Sequence, residues 1–148
     1  MLWKTSSGQP RVREYSQFCT EPIGHYKGTI GDDANGDGVM DLGRTPEGYY
    51  EYKVGPLHNR LGRNLVPLRE MYSIRDINND GKFSTREPRT SAGRTILFHQ
   101  GGDLTRGGNT GSAGCQTLPK SDFNNFWNDL HSEGNPGVIG YTLVRREE

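Results

Sequence analysis

The segment Asp76-Ile77-Asn78-Asn79-Asp80-Gly81-Lys82-Phe83-Ser84-Thr85-Arg86-Glu87 constrains this chain more than any other. Oxygen-bearing side chains stand at its first, third, fifth and ninth positions. Glu87 closes it at the twelfth, where a carboxylate can bind through both oxygens, and Gly81 takes the sharp turn at the sixth. Phe83 supplies the apolar residue at the eighth. A hard cation needs about six to eight oxygens at short range, and this spacing wraps them around one point. The pattern is that of an EF-hand calcium loop, and its expected Ca2+ ligands are Asp76, Asn78, Asp80, Lys82, Ser84 and Glu87. The competing reading is a bare polar turn. An earlier stretch, Asp33-Ala34-Asn35-Gly36-Asp37-Gly38-Val39-Met40-Asp41, repeats the same opening. Asp33, Asn35, Asp37, Val39 and Asp41 are its candidate ligands. Its twelfth position is Arg44, so the closing carboxylate is missing, and Glu47 is the residue that could fold back in its place. Neither loop has strong amphipathic helices on both sides, so a calcium sensor built of paired helices is not expected. The expected role is to staple long loops of a domain with little apolar sequence, since a metal that binds only the folded state stabilises it.

That poverty is real: 30% of the 148 residues are hydrophobic, and 21 glycines with 8 prolines favour turns over long helices. The aromatic residues are well spread and the charges balance, 18 basic against 18 acidic, which argues against disorder. The length fits a single domain over residues 1–148 with a core of its own, and no linker divides it. A neutral balance gives no reason to expect nucleic acid or an anionic membrane as partner. No apolar run is long enough to span a membrane, and the N-terminus lacks the apolar stretch of a signal peptide. A soluble monomer without a general export signal is expected. Cys19 and Cys115 make neither a disulfide framework nor a zinc-ligand spacing. They could pair with each other, which would silence Cys115; the expectation is that Cys115 stays a thiol.

Along the chain, residues 1–30 read as short strands broken at Gly8-Gln9-Pro10 and Glu21-Pro22. Gly48-Tyr49-Tyr50-Glu51-Tyr52-Lys53-Val54 reads as a tyrosine-rich strand closed by Gly55-Pro56. Residues 57–74 are mixed, with Leu61, Leu65, Val66, Leu68 and Met71 as expected core. Thr95-Ile96-Leu97-Phe98 reads as a further strand. Phe123, Phe126, Trp127 and Leu130 fall on one face of a helix, with Ser121 as expected N-cap and Gly134 and Pro136 as stops. A last strand is expected over Val138–Val144. The class is mainly β with one C-terminal helix.

His99 follows the Thr95–Phe98 run, and a glycine-rich stretch then leads to Ser112-Ala113-Gly114-Cys115. A thiol attacks as thiolate, so it needs a base or cation nearby. A glycine before it lets the chain turn tightly and leaves room for substrate. These are the parts of a cysteine acyl-transfer site, in which an activated Cys115 would react fast at neutral pH. The competing reading is an inert loop cysteine and a histidine satisfied by hydrogen bonds. His25, His58 and His131 read as surface or capping residues.

Upstream stands Arg44-Thr45-Pro46-Glu47-Gly48-Tyr49-Tyr50. The order Thr-Pro-x-Gly strand, strand-end His99, then Ser112-Ala113-Gly114-Cys115 resembles the L,D-transpeptidase catalytic domain (YkuD-type) over residues 28–118. Ala113 stands where that family usually has histidine, and Gln116-Thr117 where an aliphatic residue and an arginine commonly follow the cysteine. The resemblance implies an L,D-transpeptidase-like β-sandwich or barrel with long calcium-binding loops, acting on peptidoglycan stem peptides through a cysteine acyl-enzyme. Carried over by position, Cys115 is the nucleophile and His99 the base. The Cys115 N–H with Gly114 would form the oxyanion hole, and Ser112 would shape the turn or bond near the thiol. Arg106, Asn109 and Gln116 are the candidates for holding substrate. The absent arginine favours hydrolysis, as carboxypeptidase or endopeptidase, in a lysin or cell-wall toxin reaching the periplasm or wall by release or delivery. Crosslinking by a transpeptidase and a non-catalytic calcium-dependent wall-binding module are the alternatives.

Overall fold

The computed structural model describes residues 1–15, 27–101 and 114–144. In chain order the strands are β1 (Leu2–Lys4), β2 (Pro10–Val12), β3 (Gly43–Arg44), β4 (Gly48–Val54), β5 (Asn64–Pro67), β6 (Met71–Arg75), β7 (Arg89–Gly93), β8 (Phe98–Gln100) and β9 (Gln116–Leu118). The helix α1 (Lys120–His131) follows, and β10 (Ile139–Leu143) closes the order. The chain is mainly β, as its composition implies. A curled seven-stranded sheet runs in the order β2-β1-β10-β4-β5-β8-β9, and a small sheet runs β3-β6-β7. Among the described residues no helix is long and apolar enough to cross a membrane.

Strand β4 covers the span its sequence predicts. Alternation turns Tyr52 inward, 1% exposed, and leaves Tyr49 and Lys53 outside. A buried phenol needs a partner, and the Tyr52 hydroxyl reaches the Ile96 carbonyl at 3.0 Å. The short strands expected at the N-terminus, β1 and β2, pair as a hairpin around Gly8, whose φ of 85° suits glycine. It carries Trp3 onto Phe126 edge-to-face, with centroids 6.2 Å apart.

Helix α1 buries Phe123, Phe126 and Leu130, three of the four residues of its predicted face; Trp127 is half-buried. Phe98 meets Phe126 at 5.4 Å, which ties the helix to β8. Each such ring contributes about 2–3 kcal/mol of burial. The N-cap is Pro119 rather than Ser121, and it has no side-chain cap bond. Proline fixes φ near the helical value, so the helix begins earlier, with the Phe123 N–H donating to the Pro119 carbonyl at 2.8 Å.

The Thr95–Phe98 strand is displaced: pairing begins at Phe98. The Thr95 N–H turns back to the Ala92 carbonyl and the Leu97 N–H to that of Thr95, so these residues make local turns. The mixed stretch 57–74 contains β5 and most of β6. Leu65 and Met71 are core, while Leu61, Val66 and Leu68 are only half-buried.

Candidate functional site

Strands β8 and β9 are parallel, with His99 opposite Thr117 and Phe98 opposite Gln116. Parallel neighbours cannot be joined by a tight hairpin, which explains the long connection between them. Cys115 immediately precedes β9, and the Gln116 N–H donates to the Leu97 carbonyl at 2.9 Å. Cys115 therefore lies level with Leu97, on the strand beside His99 and two positions before it. From strand rise and spacing their Cα atoms are about 8 Å apart.

Gly114 is buried with φ at 141°, and a Cβ there would lie 3.2 Å from the Gly43 carbonyl oxygen. Glycine is thus required by both backbone and space. Gln116 is fully buried, its amide donating to the Thr45 hydroxyl while its carbonyl accepts from Tyr141 at 2.9 Å. Both ends of the amide of Gln116, a candidate for holding substrate, are thus engaged inside the fold. The same bonds join Thr45, of the Thr-Pro-x-Gly segment, to the residue after Cys115. The Tyr50 hydroxyl closes the turn on the Pro46 carbonyl. Ser112, Arg106 and Asn109 lie outside the described residues, as do Cys19 and His25.

Burial pushes the Cys115 thiol up, partly opposed by a hydrogen bond from the Leu97 N–H. Its sulfur lies 3.7 Å from the Thr95 carbonyl oxygen. Burial pulls His99 down, against the bond of Nδ1 to the Gln100 carbonyl at 2.7 Å, and nearby His58 lowers it further. Among the described residues no imidazole–thiol hydrogen bond is formed.

The depressed His99 pKa makes stability pH-dependent. Its unfolded value is about 6.5, so the stability contributed by the neutral buried ring is present above that and lost as pH falls through the folded value. His99→Asn is expected to flatten the decline of melting temperature below about pH 6.5. An unchanged decline would assign it to other groups.

Both acidic loops share the bonding of their first, third and fifth positions. Asp33 accepts the N–H groups of Asp37 and Gly38, and Asp76 those of Asp80 and Gly81. Asn35 and Asn78 each accept from the residue two ahead, as do Asp37 and Asp80. Backbone bonding pulls the Asp80 carboxyl below its ordinary value, with smaller help from Asp76, Asn78 and Lys82. Ligand atoms of Asp76, Asp80 and Glu87 lie within 4.8 Å of one another, so this cluster can hold a metal ion. Asn78, Lys82 and Ser84 occupy the loop between them. Glu87 Oε2 accepts from the Ser84 N–H, while its buried Oε1 has no hydrogen-bond partner. In the first loop Asp41 is fully buried, with Oδ2 on the Ala34 N–H and Oδ1 unpartnered. A buried carboxylate oxygen left unsatisfied is costly, and a cation would satisfy it.

The loops are neighbours. Loop one runs into β3 and loop two leaves β6, and these strands pair with Gly43 opposite Arg75. Arg44, where the first loop lacks its carboxylate, instead lies over the Phe83 ring at 5.1 Å and donates to the Phe83 carbonyl. Arg44 thus joins the loops rather than closing one.

One feature was not foreseen. His99 forms part of the wall of a cleft of about 540 Å³, together with Leu57, Arg60, Arg63, Gln100 and Phe123. Its sequence signal is the basic pair in Arg60-Leu61-Gly62-Arg63. No family model, curated protein or solved structure matches the chain.

Proposed function

We propose that this chain processes peptidoglycan stem peptides through a Cys115 acyl-enzyme, in the manner of L,D-transpeptidase-like peptidases, with hydrolysis as the outcome. The observation that carries the reading is convergence. Thr45 bonds Gln116, Gly43 limits Gly114, and β8 lies against β9, so three segments distant in sequence meet at the residue beside the thiol.

In this reading His99 accepts the thiol proton as sulfur attacks the scissile carbonyl. The tetrahedral intermediate collapses, the C–N bond breaks, and His99 returns the proton to the leaving amine. Water, with its proton taken by His99, then attacks the thioester; the C–S bond breaks, the acid is released, and His99 returns the proton to the Cys115 sulfur. Asp76, Asn78, Asp80, Lys82, Ser84 and Glu87 hold Ca2+, with Asp33, Asn35, Asp37, Val39 and Asp41 as a second site. Calcium fixes the loops that flank the small sheet and takes no part in bond cleavage.

Digestion of purified sacculi, followed by mass analysis of the fragments, tests the proposal. Shortened stems are expected. New crosslinked dimers would replace hydrolysis by transpeptidation, and unchanged sacculi would sink the reading.

A further inference from the structure

The cleft beside His99 has a chemistry of its own. The chain as a whole is neutral, yet the cleft walls carry two guanidinium groups, Arg60 and Arg63, and no carboxylate among the described residues. Arg63 is held without being neutralised. It lies over the Phe123 and Trp127 rings at 5.7 and 5.5 Å and donates to the Asn124 side-chain oxygen. All three partners are uncharged, so the cation is positioned while its charge stays available. Arg60 is exposed and rises from a stiff turn. His58 and Gly62 exchange two backbone bonds at 3.0 Å, and His58 Nδ1 accepts the Arg60 and Leu61 N–H groups at 3.1 Å. Neither arginine has an acidic partner among the described residues.

We propose that Arg60 and Arg63 form a carboxylate-binding subsite, which seats the free C-terminal carboxylate of a peptide substrate alongside His99. Two like charges in one concavity focus a positive potential. The planar guanidinium fork matches a carboxylate in a way an ammonium does not. The apolar wall of Leu57 and Phe123 suits the adjoining short side chain. The subsite also answers the burial of Gln116: the substrate's charge is met on the His99 side of the sheet, not at the residue following Cys115. The identity of the peptide rests on the proposed function, whereas the carboxylate preference rests on the cleft alone.

Binding is measured on the intact protein by calorimetry, with an N-acetyl dipeptide ending in a D-alanine carboxylate and the same dipeptide as its C-terminal amide. The acid is expected to bind roughly ten- to a hundredfold more tightly than the amide. Arg60→Gln and Arg63→Gln are each expected to remove most of that difference, Arg63→Lys less of it, and Arg69→Gln none. Trp127 emission should respond to the acid and not the amide, because Arg63 lies on its ring. Cys115→Ala should bind like wild type, so a failed acyl-enzyme reading and a failed subsite give different results. Equal binding of acid and amide, unchanged affinity in both arginine variants, or equal competition by inorganic phosphate would overturn the carboxylate assignment.

Discussion

Replacing Cys115 by alanine is expected to lower stem-peptide turnover by about four orders of magnitude or more, since no other group can form the thioester. The fold should survive. Cys115 is only half-buried, and its sulfur contact to the Thr95 carbonyl is long at 3.7 Å. Loss of that contact costs at most about 1 kcal/mol, or a few degrees of melting temperature in a domain of this size. A variant that keeps its melting temperature and loses turnover separates chemistry from folding. If turnover persisted, Cys115 would be a packing residue and the catalytic reading would fall with it.

Removal of calcium is expected to lower the melting temperature by roughly 5–10 °C. A ligand present at a hundred times its dissociation constant stabilises the native state by about 2.7 kcal/mol. Each kcal/mol shifts a domain of this size by about 2–4 °C. The apolar content is low, so this contribution is large against a total stability of about 5–15 kcal/mol. Glu87→Gln should remove most of the calcium-dependent shift. Its unpartnered Oε1 and the neighbouring carboxylates of Asp76 and Asp80 then lose their shared cation. A melting temperature indifferent to chelator would leave the loops as polar turns held by their own backbone bonds. Arg44 spans from the second loop to the strand preceding Thr45, so chelation is also expected to reach the Thr45–Gln116 bond beside the nucleophile.

Signals with a short-range cause were legible in the sequence. The tyrosine strand over residues 48–54 is bounded by turn residues on both sides, and it appears with those bounds. The helix face follows from side-chain spacing, and both acidic loops follow from Asp and Asn bonding to N–H groups a few residues on. Strand pairing was legible only in part. Strand β7, Arg89–Gly93, has no large apolar residue, because it is the edge of a small sheet and buries little. Strand β9 is three residues long and wholly buried, so alternation gives it no mark. The apolar run at Thr95 marked burial rather than pairing, and its N–H groups close local turns instead. At the site, His99, Gly114 and Cys115 were legible as residue types. The desolvation that shifts the thiol and imidazole was not, because it depends on neighbours brought in by the curl of the sheet. The bonds of Gln116 were not legible for the same reason: its partners Thr45 and Tyr141 lie far away in sequence. Arg60 and Arg63 acquire meaning only once β5 is paired to β8, which sets the turn before β5 against His99.

The central claim is that Cys115 carries the acyl group, and the most direct measurement is the intact mass of the protein quenched in acid during turnover of a stem peptide. A mass increase equal to the acyl fragment is predicted, located on the peptide containing Cys115 and absent from Cys115→Ala. Product formation with the protein unmodified, or an adduct on any other residue, would contradict it.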